Sequence, residues 1–180
     1  MEKIREMIGY EIGDCMLGAV LVATSERGVC AILIGDDADG LVRDLRARFP
    51  HAALAPSAVA PEHLAKVARL IASPRSGLDL PLDLRGSEFE QRVWRALQEI
   101  PVGATQTYGE VAQRIGAPQS AKEVGEACAA NALAVAIPCH RVVRKDGGLA
   151  GYRWGVERKL ALLKLEGARL GATADLFEGH

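Results

Sequence analysis

The segment Pro138-Cys139-His140-Arg141 contains the residues best suited to chemistry in this 180-residue chain. A cysteine is a nucleophile only as a thiolate, which needs a nearby base or cationic group. Adjacent side chains on an extended chain point to opposite faces, so His140 reaches Cys139 only in a turn, which Pro138 favours, or through one water. A carboxylate from elsewhere would have to orient the imidazole. On spacing alone, an ordinary pair of buried residues remains the alternative interpretation.

The other cysteines and the histidines do not suggest a metal site. Cys15, Cys30 and Cys128 form no Cys-x-x-Cys pair and lie among apolar or small residues, so we expect them to be small buried side chains. The four histidines do not fall at zinc-finger spacing. We therefore predict no metal.

The composition is typical of a folded globular chain and excludes disordered and fibrous classes, since 49% of the residues are hydrophobic and 25% are charged. No apolar run reaches the roughly 18 residues that span a membrane, and the N-terminal residues are not typical of a signal peptide. We expect a cytoplasmic monomer with reduced thiols. The formal net charge is −1, so any affinity for DNA must come from a local patch.

Residues 1–85 are predicted to form a small α/β domain. Two apolar runs joined by Ser-Glu-Arg-Gly indicate a β-hairpin, and apolar residues at helical spacing indicate two helices after it. Leucines then alternate with polar residues, which predicts a strand, and Pro81 places that strand at a sheet edge. The predicted β-β-α-α-β elements are, in order, 17–23, 29–34, 41–49, 61–73 and 78–84.

Residues 86–170 are predicted to form a helical domain, and residues 171–180 a flexible tail. Ser87 and Glu90 form a capping box before an apolar stripe that Pro101 closes. Thr107 can cap a short helix, and a turn at Gly116-Ala117-Pro118 leads to a second one, which is the helix-turn-helix pattern. The predicted segments after the first helix are 108–115, 119–130, a glycine-rich loop at 146–151 and a last helix at 156–166.

The chain resembles the O6-alkylguanine-DNA alkyltransferases, also called methylated-DNA–protein-cysteine methyltransferases. Ile137–Val143 is similar to the active-site signature of that family. Other segments resemble family blocks in the family's order, and the first part is similar to the Ada-type branch. These segments are Asp14–Gly18, Leu33–Asp37, Phe89–Trp94, Ile100-Pro101 with Thr107–Gly109, Cys128–Asn131 and Gly151–Gly155.

The resemblance implies a fold and a reaction. The fold is α/β, with a small N-terminal ribonuclease-H-like domain packed on a C-terminal winged helix-turn-helix domain. The reaction is DNA repair by one irreversible alkyl transfer from O6-methylguanine, and from O4-methylthymine, to Cys139, after the damaged nucleotide has been flipped out of double-stranded DNA. His140 would take the thiol proton through a water, and Glu166 would hold the other imidazole nitrogen. Tyr108 would donate to the purine N3, and Asn131 would hold the turn that aims Cys139.

Further residues take binding roles by the same resemblance. Val142, Tyr152, Arg153 and Lys159 would line or support the alkyl pocket, although a solvent-exposed helical lysine is an equal alternative for Lys159. The residues expected to contact DNA are Thr107, Tyr108, Ser120, Ala121, Lys122, Gly125 and Arg141.

The sequence departs from the family pattern in its second helix. Lys122 stands where the family has an arginine that enters the minor groove, and it lacks the planar fork of that side chain. Glu123 and Glu126 replace small residues, and carboxylates near phosphates weaken binding. We therefore expect weakened duplex binding, unless both glutamates point away from the groove.

Two other functions stay open on the sequence alone. One is a helix-turn-helix protein that recognises alkylated DNA or regulates transcription, in which alkyl transfer is vestigial. The other is a cysteine hydrolase, for which no motif beyond the Cys-His pair is found.

Overall fold

A computed structural model describes residues 5–56, 59 and 61–170 and divides them into two compact units. The first unit contains the described residues up to Leu84 together with Ala132–Ala134, and the second contains Arg85–Asn131 and the described residues from Val135 onwards. The predicted tail at 171–180 lies outside the described residues. No helix in the described ranges is long and apolar enough to cross a membrane.

The first unit is built on a four-stranded mixed sheet of order β3-β2-β1-β4. Its strands are β1 (Met7–Cys15), β2 (Gly18–Ser25), β3 (Gly28–Gly35) and β4 (Ala53–Pro56). The first three are antiparallel neighbours, and β4 runs parallel to β1. The predicted hairpin is confirmed as β2–β3. The prediction missed β1, whose residues are mostly only half-buried and show no alternation, and β4, which has only four residues.

Two helices cover this sheet, α1 (Ala38–Arg48) and α2 (Pro61–Ala72). The Asp37 side chain accepts a hydrogen bond of 2.8 Å from the Gly40 amide, which satisfies an amide that the first helical turn leaves free. Apolar side chains at helical spacing face the sheet, so both helices lie where the sequence predicts them. The buried residues are Leu41 and Leu45 in α1 and Val67, Leu70 and Ile71 in α2.

The predicted strand over residues 78–84 is wrong. Only Leu82 pairs with the sheet, through an isolated parallel bridge to Val29. The Val29 amide donates to the Pro81 carbonyl at 2.9 Å, and the Asp83 amide donates to the Val29 carbonyl at 2.8 Å. Pro81 has no N–H group, so the alternating leucines cannot continue as a regular ladder.

The second unit is mainly helical, as predicted. The capping box is confirmed, because the Glu90 amide donates to the Ser87 hydroxyl at 3.1 Å and the Ser87 amide donates to the Glu90 carboxylate at 2.8 Å. A two-residue parallel pair, β5 with β6, stands beside the helix-turn-helix formed by α4 and α5. The elements are α3 (Glu88–Gln98), β5 (Gln106–Thr107), α4 (Tyr108–Arg114), α5 (Ala121–Ala130), a 3-10 turn (Cys139–Arg141), β6 (Val142–Val143) and α6 (Val156–Leu165).

Gly28 lets the 78–84 segment approach β3, and its substitution tests that packing. Its φ is +147°, and a Cβ there would lie 2.4 Å from the Pro81 carbonyl oxygen, which is backbone and cannot rotate away. We expect Gly28→Ala to lower the free energy of unfolding by about 2–3 kcal/mol, measured by urea denaturation. Gly116→Ala is the control, because Gly116 (φ +77°) ends α4 in a Schellman motif and no atom lies within 4 Å of its Cβ position, so about 1 kcal/mol is expected. Equal losses in the two variants would contradict the close approach.

Candidate active site

The turn that carries Cys139 is held by Asn131, the residue at which α5 ends. Asn131 is buried, and its Nδ2 donates to the Ile137 carbonyl at 3.0 Å and to the Cys139 sulfur at 3.4 Å. The Cys139 amide donates to the Ile137 carbonyl, and the Arg141 amide closes the 3-10 turn on Pro138 at 3.0 Å. One amide therefore fixes both the backbone before the cysteine and the sulfur itself.

Val135 adds backbone strain to the same segment. Its φ is +67°, and it is the non-glycine residue with positive φ in the described part of the chain. A β-branched residue is a rare occupant of this left-handed region. Its side chain is buried, so the surrounding packing holds a conformation that costs of order 1–3 kcal/mol.

Glu166 lies at the end of α6 and joins His140 to Arg141. Its Oε1 lies 2.8 Å from His140 Nε2, and its two oxygens accept from Arg141 Nε at 3.0 Å and Nη2 at 2.9 Å. Burial alone would raise the pKa of Glu166, but hydrogen bonds from His140 and Arg141 outweigh it and lower the pKa to about 2. An ionised carboxylate therefore lies in the interior, paired on both oxygens.

His140 is poised as a neutral base. Burial lowers its pKa, and the hydrogen bond and charge of Glu166 offset this effect only in part. Because the ionised Glu166 can only accept, Nε2 carries the proton and Nδ1 keeps a free lone pair. Nδ1 is buried and has no hydrogen-bond partner. The imidazole can therefore take a proton at Nδ1, while Glu166 stabilises the cation that forms.

Arg141 was predicted to contact DNA, and its placement does not agree with that expectation. The residue is buried, and its guanidinium is directed inwards. Besides Glu166, it donates to the Ile100 carbonyl at 2.6 Å. These bonds occupy the planar fork, so Arg141 positions the carboxylate instead of reaching a phosphate.

Cys139 is buried, with 5% of the residue exposed. Burial raises its pKa, whereas the amide of Asn131 and the positive charge of Lys159 act in the opposite direction. The protein therefore holds the group as a thiol at neutral pH, and it becomes a nucleophile when a base removes its proton.

Lys159 is fully buried, which excludes the alternative of a solvated helical lysine. Its Nζ donates to the Val142 carbonyl at 2.6 Å and to the Ala150 carbonyl at 3.5 Å, so it ties β6 to the glycine-rich loop. Burial lowers its pKa to about 8, while the nearby thiols of Cys139 and Cys128 favour the charged form. At neutral pH this ammonium is a buried positive charge within range of the reactive sulfur.

The two predicted site tyrosines lie close to Cys139. Tyr108 begins α4 and is half-buried, and burial together with the Cys128 and Cys139 thiols raises its pKa to about 12. Burial raises the pKa of Tyr152 as well, with further contributions from Cys139 and Glu166. Both hydroxyls therefore keep their protons at neutral pH and can act as donors.

The remaining predicted binding residues lie at the start of α4, in the loop after β6 and on α5. Thr107 caps α4, since its Oγ1 accepts from the Glu110 amide at 3.1 Å. The exposed Arg153 donates to the Ala129 carbonyl at 3.0 Å, which ties the loop after β6 to α5. Gly125 lies beside the Tyr108 ring, and a Cβ there would stand 3.7 Å from that ring. Ser120 and Ala121 are half-buried at the start of α5.

The outward side of α5 carries mixed charge. Lys122, Glu123 and Glu126 are exposed, whereas Val124, Ala127 and Cys128 form the buried side of the helix. Lys122 and Glu126 are four residues apart and share one face. One positive and two negative charges therefore lie on the surface that the sequence analysis expects to meet DNA.

Three parts of the site were missed by sequence reasoning. Cys128 was taken as plain core, yet its sulfur lies within electrostatic range of Cys139, Tyr108 and Lys159. The carbonyl of Ile100 binds Arg141, and a backbone acceptor leaves no mark on the sequence. Trp154 contacts Tyr152, with ring centroids 5.3 Å apart, and only its nearness to Tyr152 in the glycine-rich segment could have indicated this. In the described ranges, no cluster of three or more His, Cys, Asp or Glu side chains could hold a metal ion.

Comparisons with known proteins match this chain to one family. A family profile described as "6-O-methylguanine DNA methyltransferase, DNA binding domain" matches residues 88–168. The bifunctional transcriptional activator/DNA repair enzyme Ada of Escherichia coli is 50% identical over 160 residues, covering 88% of this chain and 45% of that protein. The methylated-DNA–protein-cysteine methyltransferase of Mycolicibacterium paratuberculosis is 53% identical over 100 residues, covering 56% of this chain and 61% of that one.

A solved structure extends the likeness to nearly the whole chain. The Mycobacterium tuberculosis OGT in complex with DNA superposes with a TM-score of 0.76 and 35% identity, covering 94% of this chain and 99% of that one. The chain therefore belongs to the 6-O-methylguanine DNA methyltransferase family, and the predicted fold class is confirmed. The chain spans about 45% of the length of the Ada proteins that it matches.

Lys159→Met tests the buried ammonium through the pH dependence of stability. Folding lowers the pKa of Lys159 from its ordinary value of 10.5 to about 8, so between these values the unfolded state binds more protons. The stability of the unsubstituted protein therefore rises with pH across this window. We expect urea denaturation at several pH values to show that the Met variant lacks this contribution, whereas Lys164→Met, at an exposed position of the same helix, keeps it. A Lys159→Met protein with an unchanged rise would contradict the charge assignment.

Proposed function

We propose that this chain repairs DNA by moving the alkyl group of O6-alkylguanine, and of O4-methylthymine, onto Cys139 in one irreversible step. The observation that carries the proposal is the thiol of Cys139 on a turn held by Asn131, next to a His140 whose Nε2 is bound by Glu166 at 2.8 Å. This arrangement supplies a nucleophile, a base and a group that orients the base. It needs no cofactor, because the protein itself accepts the alkyl group.

The proton leaves Cys139 through a water and reaches Nδ1 of His140. The sulfur then attacks the alkyl carbon, so that an S–C bond forms as the bond from that carbon to O6 breaks. The guanine leaves with developing negative charge, and the Tyr108 hydroxyl, which keeps its proton because its pKa is about 12, donates to the purine. The product is an uncharged thioether that has no leaving group as good as guanine, so the protein acts once.

The substrate pocket is proposed to lie between the 3-10 turn and the loop after β6. Val142, Tyr152 and Arg153 line it, and Lys159 supports it by bonding the Val142 and Ala150 carbonyls. A base inside a duplex cannot reach the sulfur of a buried cysteine, so the damaged nucleotide has to be flipped out. The charge of Lys159 favours the thiolate once the proton has left.

Double-stranded DNA is proposed to approach α5 and the start of α4. The second helix of a helix-turn-helix enters the groove, which assigns contacts to Thr107, Ser120, Ala121, Lys122 and Gly125. The exposed Glu123 and Glu126 face the same solvent side as Lys122 and oppose phosphate binding. We therefore assign weak duplex affinity to this chain, while the chemistry at Cys139 stays intact.

The transfer is tested with two substrates. The protein is incubated with a duplex that contains O6-methylguanine and, separately, with the free base O6-benzylguanine, and its intact mass and peptide map are recorded. We expect one alkyl group per molecule on Cys139 from each substrate, more slowly from the duplex than in a family member without acidic residues on this helix. Cys139→Ser should stay unlabelled, and Cys15→Ser should be labelled normally. A protein that binds the alkylated duplex and stays unmodified would instead support the second candidate, a reader or regulator of alkylated DNA, which the name of the E. coli Ada relative favours.

The charge of α5 is tested by Lys122→Arg combined with Glu123→Ala and Glu126→Ala. Removing two negative charges should tighten duplex binding and steepen the slope of log K against log salt by about 1–2. The reaction with free O6-benzylguanine should not change, because that substrate makes no phosphate contact. Glu26→Ala with Glu62→Ala removes the same charge from exposed positions of the first unit and serves as the control. Unchanged duplex affinity in the α5 variant would show that DNA does not approach this helix.

A further inference from the structure

Three buried polar atoms without a hydrogen-bond partner belong to neighbouring rings near the reactive cysteine. Within the described ranges, four buried side-chain nitrogen or oxygen atoms lack a hydrogen-bond partner, and three of them are His140 Nδ1, Tyr152 Oη and Trp154 Nε1. The rings of these three residues follow one another. The His140 and Tyr152 centroids are 6.5 Å apart with edge contact, and the Tyr152 and Trp154 centroids are 5.3 Å apart at 70°.

The chemistry of the three atoms is complementary. Nδ1 of the neutral His140 only accepts, the indole N–H of Trp154 only donates, and the Tyr152 hydroxyl does both. Leaving each atom unpaired in the interior would cost desolvation free energy three times over, and buried polar atoms are almost always satisfied. A buried water that makes about three hydrogen bonds to such groups is the usual solution. These three atoms on neighbouring rings therefore have the composition of a hydration site.

Tyr152 lies near the groups between which such a water would carry a proton. Its hydroxyl is within electrostatic range of the Cys139 sulfur and of the Glu166 carboxylate, which bracket His140. Burial keeps the phenol protonated, so Tyr152 cannot itself be the base. The edge contact with Trp154 leaves the phenol ring little freedom to turn away.

We propose that Tyr152 is a positioning residue for proton transfer, and that its hydroxyl holds the water that carries the Cys139 proton to His140 Nδ1. The water gives one proton to Nδ1 and receives the thiol proton, so it is regenerated while Cys139 becomes a thiolate and His140 a cation. The Tyr152 O–H bond stays intact throughout. Trp154 holds the phenol ring and supplies the third contact to the hydration site. This inference rests on the proposed function of Cys139 but concerns only the proton, not the purine.

The test separates proton transfer from purine binding by using two alkylating agents. O6-benzylguanine requires the purine pocket, whereas iodoacetamide alkylates any accessible thiolate and makes no purine contact. Rates of Cys139 alkylation are measured by peptide mapping for Tyr152→Phe, which keeps the ring and removes only the hydroxyl. We expect both rates to fall about tenfold or more at neutral pH. We also expect the iodoacetamide rate to approach that of the unsubstituted protein at high pH, where hydroxide removes the thiol proton directly.

Other charged groups near His140 have to be considered in that pH profile. Glu166, Arg141 and Lys159 all face the imidazole, and Lys159 has a pKa of about 8. All three are retained in Tyr152→Phe, so the comparison with the unsubstituted protein isolates the hydroxyl. Tyr10→Phe makes the same chemical change in β1 of the first unit and should leave both rates unchanged.

The outcomes decide the inference separately from the proposed function. A folded Tyr152→Phe protein with an unchanged iodoacetamide rate overturns it, even if the O6-benzylguanine rate falls, because the hydroxyl would then touch only the purine. Should Tyr152→Phe melt far below the unsubstituted protein, Trp154→Phe decides instead. We expect it to lower the iodoacetamide rate, and an unchanged rate overturns the inference. Failure of the unsubstituted protein to react with O6-benzylguanine would refute the proposed function and leave the iodoacetamide comparison valid.

Discussion

The carboxylate of Glu166 has to stay ionised in the interior of the second unit, and the other parts of the site depend on this condition. A buried carboxylate without partners takes up a proton, because desolvation penalises the charged form. Arg141 prevents this with two hydrogen bonds, of 3.0 Å and 2.9 Å, to the two oxygens. The carboxylate can then only accept, which fixes the tautomer of His140 and leaves Nδ1 as the free acceptor. Loss of either partner would leave an uncompensated charge, which is costlier than the bond alone.

The protonation state of Cys139 is the opposite of that of Glu166, because the thiol is kept neutral. Burial favours the neutral thiol, and the protein offsets this only in part, with the amide of Asn131 at 3.4 Å and the charge of Lys159. Such a balance keeps the thiol unreactive until a substrate and a path for the proton are both present. The strained φ of Val135 belongs to the same segment, so packing free energy is used to place the cysteine.

Signals between residues close in the sequence predicted most of this fold. The elements that were missed depend on contacts between residues far apart in the sequence. The Ser87 capping box, the Thr107 cap and the stop at Pro101 act within a few residues, so they can be seen in the sequence. The alternating leucines at 78–84 misled because a period of two shows only that side chains alternate. Whether a ladder forms depends on a partner strand and on amide groups, and Pro81 has none. Strand β4 is set by its pairing with β1, 40 or more residues away, which a window along the chain does not contain.

The candidate site shows the same division. Cys139 and His140 were singled out by residue type, but Glu166 was named only through resemblance, because 26 residues separate the imidazole from its carboxylate. Arg141 was misassigned for a related reason. Its DNA contact was expected from the resemblance, and only the fold shows that its guanidinium is occupied by Glu166 and the Ile100 carbonyl. The burial of Lys159 could not be predicted either, because other charged residues of the same helix, such as Glu157 and Lys164, are exposed.

The residues that hold Cys139 and His140 are distinct from the charged residues on the outward side of α5. In the described part of the chain, the hydrogen bonds around Cys139 and His140 run to Asn131, Ile137 and Glu166, none of which lies on the outward side of α5. That helix touches the site through its buried side and through Gly125 beside the Tyr108 ring. Charges at Lys122, Glu123 and Glu126 can therefore vary without moving the sulfur or the base. The surface charge of α5 can therefore differ without any change in the hydrogen bonds from Asn131 and Glu166 that hold Cys139 and His140.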